Sequence, residues 1–203
     1  MAFVPAGCNM ASNDCYTAGM RRFALVTLLV LFSTAVRATV ILPIEFRELV
    51  ATSPVIVHAR VTDVRSAFMD GRRTVQTFVT VAAGEYFKGN LGEHITFMVP
   101  GGQIGRYKTV FVGAPEFRTG EEVVLFLNTA RGGVPFIVGL NQGAYRVVAD
   151  NASGRRMVSM PILIGRDTGE PQRIVRGDPA RRTLPIEAFR DAVRQVLAEA
   201  VRK

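Results

Sequence analysis

The sequence predicts a mainly β domain, a small Greek-key barrel or sandwich, with a short helix ahead of it and an amphipathic helix behind it. Three observations carry this. Short apolar runs recur with a period of two or as fully apolar stretches, turns rich in Gly, Pro, Asn and Asp separate them, and helical spacing appears only at the two ends.

The elements follow in order. After Pro43, "IEFRELVATS" sets Phe46, Leu49 and Val50 on one helical face, and Ser53-Pro54 ends the helix. "VIVHARVTDV", Val55 to Val64, alternates Val55, Val57, Ala59 and Val61 against Ile56, His58, Arg60 and Thr62, so it reads as a strand with His58 on its less apolar face, at a surface or barrel rim. Asp70-Gly71 is a hairpin turn, which makes "TVQTFVTVAAGEYF" an antiparallel partner. Lys88-Gly89-Asn90 turns the chain into "HITFMV"; "KTVFVG", "EVVLFL", "PFIVGL", "AYRVVAD" and "RRMVSMPILI" are the remaining strand-like runs. The last helix is predicted over 185–202, with Pro185 in its first turn. Ile186, Phe189, Val193, Val196, Leu197, Ala200 and Val201 form its packing face, and Glu187, Arg190, Asp191, Arg194 and Arg202 its polar face. Both signs are mixed on that polar face, so the helix is expected to pack on the sheet and not to lie on a membrane.

The amino terminus sets the expected compartment. Met20-Arg21-Arg22 precedes "FALVTLLVLFSTAV", an apolar run of 14 residues from Phe23 to Val36. A spanning helix needs about 20. The run therefore reads as a secretory signal, with cleavage after Ala38 and with residues 1–19 as an extension upstream of a start at Met20. Domain organisation is then 1–38 for the extension and signal, and 39–203 for one β-rich domain, periplasmic or extracellular. If the signal stayed uncleaved, it would be the only membrane segment.

Export also bears on chemistry. Both cysteines, Cys8 and Cys15, precede Met20, so the mature chain carries no thiol for a disulfide, a zinc site or nucleophilic catalysis. Without Arg21, Arg22, Arg37 and Asp14 the charge is 22 basic against 16 acidic residues, a net +6 that favours anionic partners without locating a site. Arg155, Arg156, Arg166, Arg173, Arg176, Arg181 and Arg182 are interleaved with acids and read as a solvated face, because stacking aromatics are missing there.

Three motifs need weighing. Gly101-Gly102-Gln103-Ile104-Gly105 resembles a phosphate cradle in composition, but Arg106 and Tyr107 stand where Lys and Ser or Thr belong, and a strand-like run follows. It reads as the bend between two strands. Asp167-Thr168-Gly169 matches the triplet of aspartic proteases, yet Arg166 before it and Glu170-Pro171 after it suit a turn. Asn151-Ala152-Ser153 is a glycosylation sequon within a hairpin turn. His58 and His94 belong to no paired-ligand spacing, so no catalytic residue, metal or cofactor is expected.

Pro100-Gly101-Gly102, followed by G-A-P-x-F-x-x-G-E-E-V-V-L-F-L from Gly113 to Leu127, resembles a family of small exported bacterial proteins over about residues 44–150. More distantly the chain is similar to the netrin-like module of metalloproteinase inhibitors, which implies an OB-like barrel. Those inhibitors present an N-terminal cysteine to the protease zinc, and this chain has no cysteine after its export signal. The barrel carries over, and that inhibitory mechanism does not.

Two functions remain as expectations. One is an exported, non-enzymatic binding module for a protein or an anionic envelope component, contacting it through Arg106, Tyr107, Lys108 and Phe111, where a mobile glycine-rich loop carries cations and aromatics. The alternative is a secreted hydrolase using Asp167 or a histidine, or a barrel that binds oligosaccharide or nucleic acid, the latter disfavoured by export.

Overall fold

Residues 43–69, 71, 74–129, 133–151, 153–159, 161 and 183–202 are described in a computed structural model. The signal segment, both cysteines, the Asp167-Thr168-Gly169 triplet and the arginines from Arg166 to Arg182 lie outside the described residues.

Helix α1 (Phe46–Thr52) is followed by two long strands, β1 (Val55–Met69) and β2 (Thr74–Lys88), and then β3 (His94–Pro100). Next come a small hairpin, β4 (Gly102–Ile104) with β5 (Tyr107–Thr109), and strands β6 (Glu122–Asn128) and β7 (Phe136–Ile137). A 3-10 turn (Leu140–Gly143) leads to β8 (Ala144–Ala149) and β9 (Arg156–Ser159), and β10 (Leu184–Pro185) enters helix α2 (Ile186–Val201).

The pairings close a ring. β1 pairs antiparallel with β2, β2 with β3, β3 parallel with β7, β7 antiparallel with β6, and β6 returns to β1. This is a mainly β barrel with a helix at either end, within the barrel-or-sandwich class that the periodicity predicts. β8, β9 and β10 extend the sheet from the free part of β6.

The ring forces β1 to serve two edges at once. Ile56 to Arg60 pair with β2 on one side and with Phe126 to Glu122 on the other. Register shifts at Ile56/Val57, His58/Ala59 and Val61/Asp63 supply the curvature that a 15-residue strand needs to turn between neighbours.

Two apolar layers result. Val57, Val61, Val79, Val81, Phe97, Leu125 and Leu127 fill the barrel. Alternate residues of the same strands, Ile56, Val124 and Phe126, point outward, where Phe46, Leu49, Phe189 and Val193 of the helices cover them. That is why "EVVLFL" has no polar alternation: both faces of β6 are buried. Phe126 meets Phe46, Tyr145 and Phe189 at ring-centroid distances of 6.2, 5.5 and 6.4 Å.

The helices are also tied by polar contacts. Lys88 Nζ donates to the carbonyls of Val50 and Ala51 at 2.7 and 3.3 Å, satisfying the last turn of α1, and partial burial lowers its pKa. Gln142 Oε1 accepts from Ile44 N at 2.7 Å and so fixes the chain entering α1. Arg190 of α2 reaches Glu85 of β2 at 3.1 Å.

Several sequence expectations need correction. β1 runs five residues past Val64 because the hairpin with β2 keeps pairing to Met69↔Thr74. "KTVFVG" is a strand only to Thr109, and "PFIVGL" only at Phe136–Ile137, since the chain then enters the 3-10 turn. Pro185 precedes α2 and pairs with Met157, and Ala200 is exposed rather than packed.

Phe189 is fully buried between α1, β6 and β8. Phe189→Ala should lower the unfolding free energy by about 3–5 kcal/mol through lost burial and a residual cavity. Urea unfolding followed by far-UV circular dichroism checks this; a loss under about 1 kcal/mol would mean that α2 does not close the outer layer.

Candidate functional site

The glycine-rich stretch is a bend with a defined seat. Gly101 and Gly102 adopt φ of 90° and 146°, which side chains rarely tolerate. A Cβ on Gly102 would stand 2.5 Å from Thr77 Oγ1 and 2.7 Å from Ser66 Oγ. The backbone therefore lies directly on two hydroxyls of β1 and β2. Thr77 Oγ1 donates to Gly101 O at 2.8 Å, and Val75 N donates to Thr109 Oγ1 at 3.1 Å, so β2 holds both arms of the hairpin.

β4 and β5 then pair through Gly102↔Thr109, Gln103↔Lys108 and Ile104↔Tyr107, turning at Gly105 with φ of 56°. The strand β5 follows the glycines where a phosphate cradle needs a helix N-terminus, so the stretch is a bend, as the sequence indicates.

Between this hairpin, the upper part of β1 and β2, and the loop from Val110 to Phe117 lies a cleft of about 340 Å³. That is the lower end of the range for ligand sites. Its floor carries Ser66 and Thr77, 3.3 Å apart, among Val64, Val99 and Phe117. Its lip carries Lys108, Phe111 and Glu116.

At the lip and just beyond it the chain is unusually apolar for a surface. Val110, Phe111 and Val112 expose 71%, 49% and 64% of their area in three consecutive residues, and Tyr107 exposes 53%. Tyr107 also meets Phe68 edge to face at 5.8 Å, and the Arg106 guanidinium lies 5.3 Å from the Tyr107 ring centre.

The loop has firm ends. Ala114 N donates to Phe111 O at 3.1 Å, and Asn141 N to Gly113 O at 3.0 Å. Arg146 of β8 spans Glu121 Oε2 and Glu116 O, both at 2.6 Å. The exposed valines are thus presented from a braced frame.

All four sequence-predicted contact residues fall in this region. Lys108 and Phe111 line the cleft, while Arg106 and Tyr107 stand exposed at the hairpin turn beside it. Sequence reasoning missed Val110 and Val112, which it read as strand interior, and Ser66 and Thr77, which belong to ordinary β patterns. The legible signal was three apolar residues in a row directly before Gly113-Ala114-Pro115, too short for a strand with both faces buried.

A second polar group gathers around His58, and here the sequence expectation of a surface or rim histidine is overturned. His58 is 9% exposed because the outward face of β1 is roofed by the helices and by β9. His94, at the exposed start of β3, does sit on the surface. His58 Nε2 is 3.6 Å from Glu122 Oε2, and Arg60 pairs with the same carboxylate. Burial depresses the His58 pKa, the charge of Arg156 adds to this, and Glu122 and Glu85 oppose it. Among the described residues no group of three His, Cys, Asp or Glu is arranged to hold a metal, and no helix is long and apolar enough to cross a membrane.

Two outcomes are expected. Because the folded His58 pKa is depressed, the unfolded chain takes up the proton first as pH falls below about 6.5. Stability from this group is complete above that value and declines below it until the folded pKa is passed. The drop in urea midpoint between pH 8 and pH 5 should be smaller in His58→Gln than in the wild type; equal drops would discount the burial. Arg146→Ala should raise amide exchange across residues 110–121 about tenfold while leaving β2 unchanged, measured by deuterium uptake. Comparison with known proteins finds no matching family model, no matching curated protein and no matching solved structure.

Proposed function

We propose that the chain is an exported, non-enzymatic binding module that grips a protein partner with the β4–β5 hairpin and the loop after it. The observation that carries this is the run Val110-Phe111-Val112, exposed at 71%, 49% and 64% on a loop held at Thr109 before it and at Gly113 and Glu116 after it. Exposed apolar residues cost solubility, and three together beside an aromatic and two cations have the make-up of an interface centre.

An anionic envelope polymer would use Arg106 and Lys108 but would have no need of the valines, so a protein is the favoured partner. Export rests on the basic start and 14-residue apolar run from Phe23 to Val36. The netrin-like resemblance is retained for the barrel alone, since fold does not set function. The hydroxyls in the cleft serve the fold: Thr77 spends its proton on Gly101 O, which anchors the hairpin and does not prepare a nucleophile.

The test is affinity capture with the exported chain from envelope and culture-medium extracts, comparing the wild type with a variant carrying R106A, Y107A, K108A and F111A. A specific protein should be retained at high salt by the wild type and reduced at least thirtyfold in the variant, as the loss of one central anchor of about 2 kcal/mol requires. Undiminished capture by the variant would remove this surface from the reading.

A further inference from the structure

The cleft beneath the hairpin has a chemistry more specific than its apolar lip. Thr77 Oγ1 donates its one hydrogen to Gly101 O at 2.8 Å. The 3.3 Å contact between Ser66 and Thr77 must then run from Ser66 to Thr77, because a hydroxyl has a single proton. Both hydrogens are committed, that of Thr77 to the hairpin and that of Ser66 to Thr77. What the floor offers an occupant is the remaining acceptor capacity of Ser66 Oγ, which suits an N–H or O–H donor.

The rest of the lining narrows the class. Val64, Val99 and Phe117 are apolar, and the volume of about 340 Å³ accommodates a side chain with a short length of backbone. Lys108 and Glu116 are the charged residues that line the cleft, and Arg106, exposed at the adjoining hairpin turn, tips the balance to positive. Arg106 lies against the Tyr107 ring with its Nη2 donating to Tyr107 Oη at 3.2 Å. That contact engages one of its five N–H groups and holds the guanidinium in place, with the others able to meet a carboxylate.

We propose that the cleft takes an acidic peptide segment, one apolar or aromatic side chain entering between Val64 and Phe111 while flanking Asp or Glu residues meet Arg106 and Lys108. A backbone N–H of the segment meets Ser66 Oγ. Exposed apolar area beyond the cleft explains why a segment of a macromolecule fits better than a small molecule: a ligand confined to the cleft would leave Val112 and Tyr107 uncovered. This inference rests on the binding-module reading and specifies its partner.

The experiment is selection of a random nine-residue peptide display library on the full chain, followed by fluorescence anisotropy with the enriched peptides. Enriched sequences should carry one Phe, Leu, Ile or Met with Asp or Glu within two positions. The R106E/K108E variant should bind them at least tenfold more weakly and select basic flanks in their place. S66L, which fills the floor, should also weaken them at least tenfold; A114L, a milder filling from the opposite wall, serves if S66L lowers the melting temperature.

Enrichment of neutral or basic sequences, no enrichment above the starting library, or binding unchanged within twofold in a folded filled variant would overturn the proposal. Its failure is separable from that of the wider reading. If extract capture depends on the four hairpin residues while the filled variants capture normally, the cleft assignment falls and the binding surface stands.

Discussion

Everything in this molecule depends on β1 being hydrogen-bonded along both edges over Ile56 to Arg60. Five consecutive residues with two partners each close the ring, and closure means that alternate side chains face either a sealed interior or the outside wall. Val57 and Ala59 go inward; Ile56 and His58 go outward. The outward set is itself largely apolar, so it needs a roof, and α1 and α2 provide it with Phe46, Leu49, Phe189 and Val193. The helices are thus a consequence of the barrel's composition, and they explain how a histidine on the polar-looking face of a strand comes to be buried.

The same strand behaves differently at its other end. Beyond Val61 it leaves β6 and continues only with β2, as a long hairpin whose residues are mostly exposed or half-buried. That arm is free to support something else, and it carries the β4–β5 hairpin through Ser66 and Thr77. One strand therefore divides the molecule into a double-layered, helix-covered end and a projecting end that holds the cleft. Rigidity at the first gives the second its fixed frame, and Arg146 and Asn141 bring the bracing from the extended sheet to the loop.

Much of this was legible in the residues. The helix faces Phe46, Leu49, Val50 and Ile186, Phe189, Val193 stood out because a period of three or four leaves few other readings, and Gly89 and Gly101 marked their turns because positive φ demands glycine there. Ring closure was not legible, since it joins β1 to β6 over some 65 residues and depends on curvature from bulges that no local pattern announces. For the same reason His58 was misplaced: strand alternation separates two faces but does not say that both are covered. Within the site, Arg106, Tyr107, Lys108 and Phe111 could be picked by composition and loop position, whereas Ser66 and Thr77 join them only once the hairpin folds over β1 and β2.

The ring has one thin seam. Among the described residues β3 and β7 are joined parallel through a single residue pair, Met98↔Phe136, supplemented by Met98 N donating to Pro135 O at 2.9 Å, while β1 and β2 share thirteen such pairs. A closed sheet distributes its opening fluctuations unevenly, and they concentrate where the fewest bonds must break at once. The barrel is in mechanical terms a clasp: its strongest hinge is the β1–β2 hairpin, and its catch is the contact at Met98. Release of that catch would expose an edge of β3 and break no contact of the helix-roofed layer, which makes this seam the place where opening costs least.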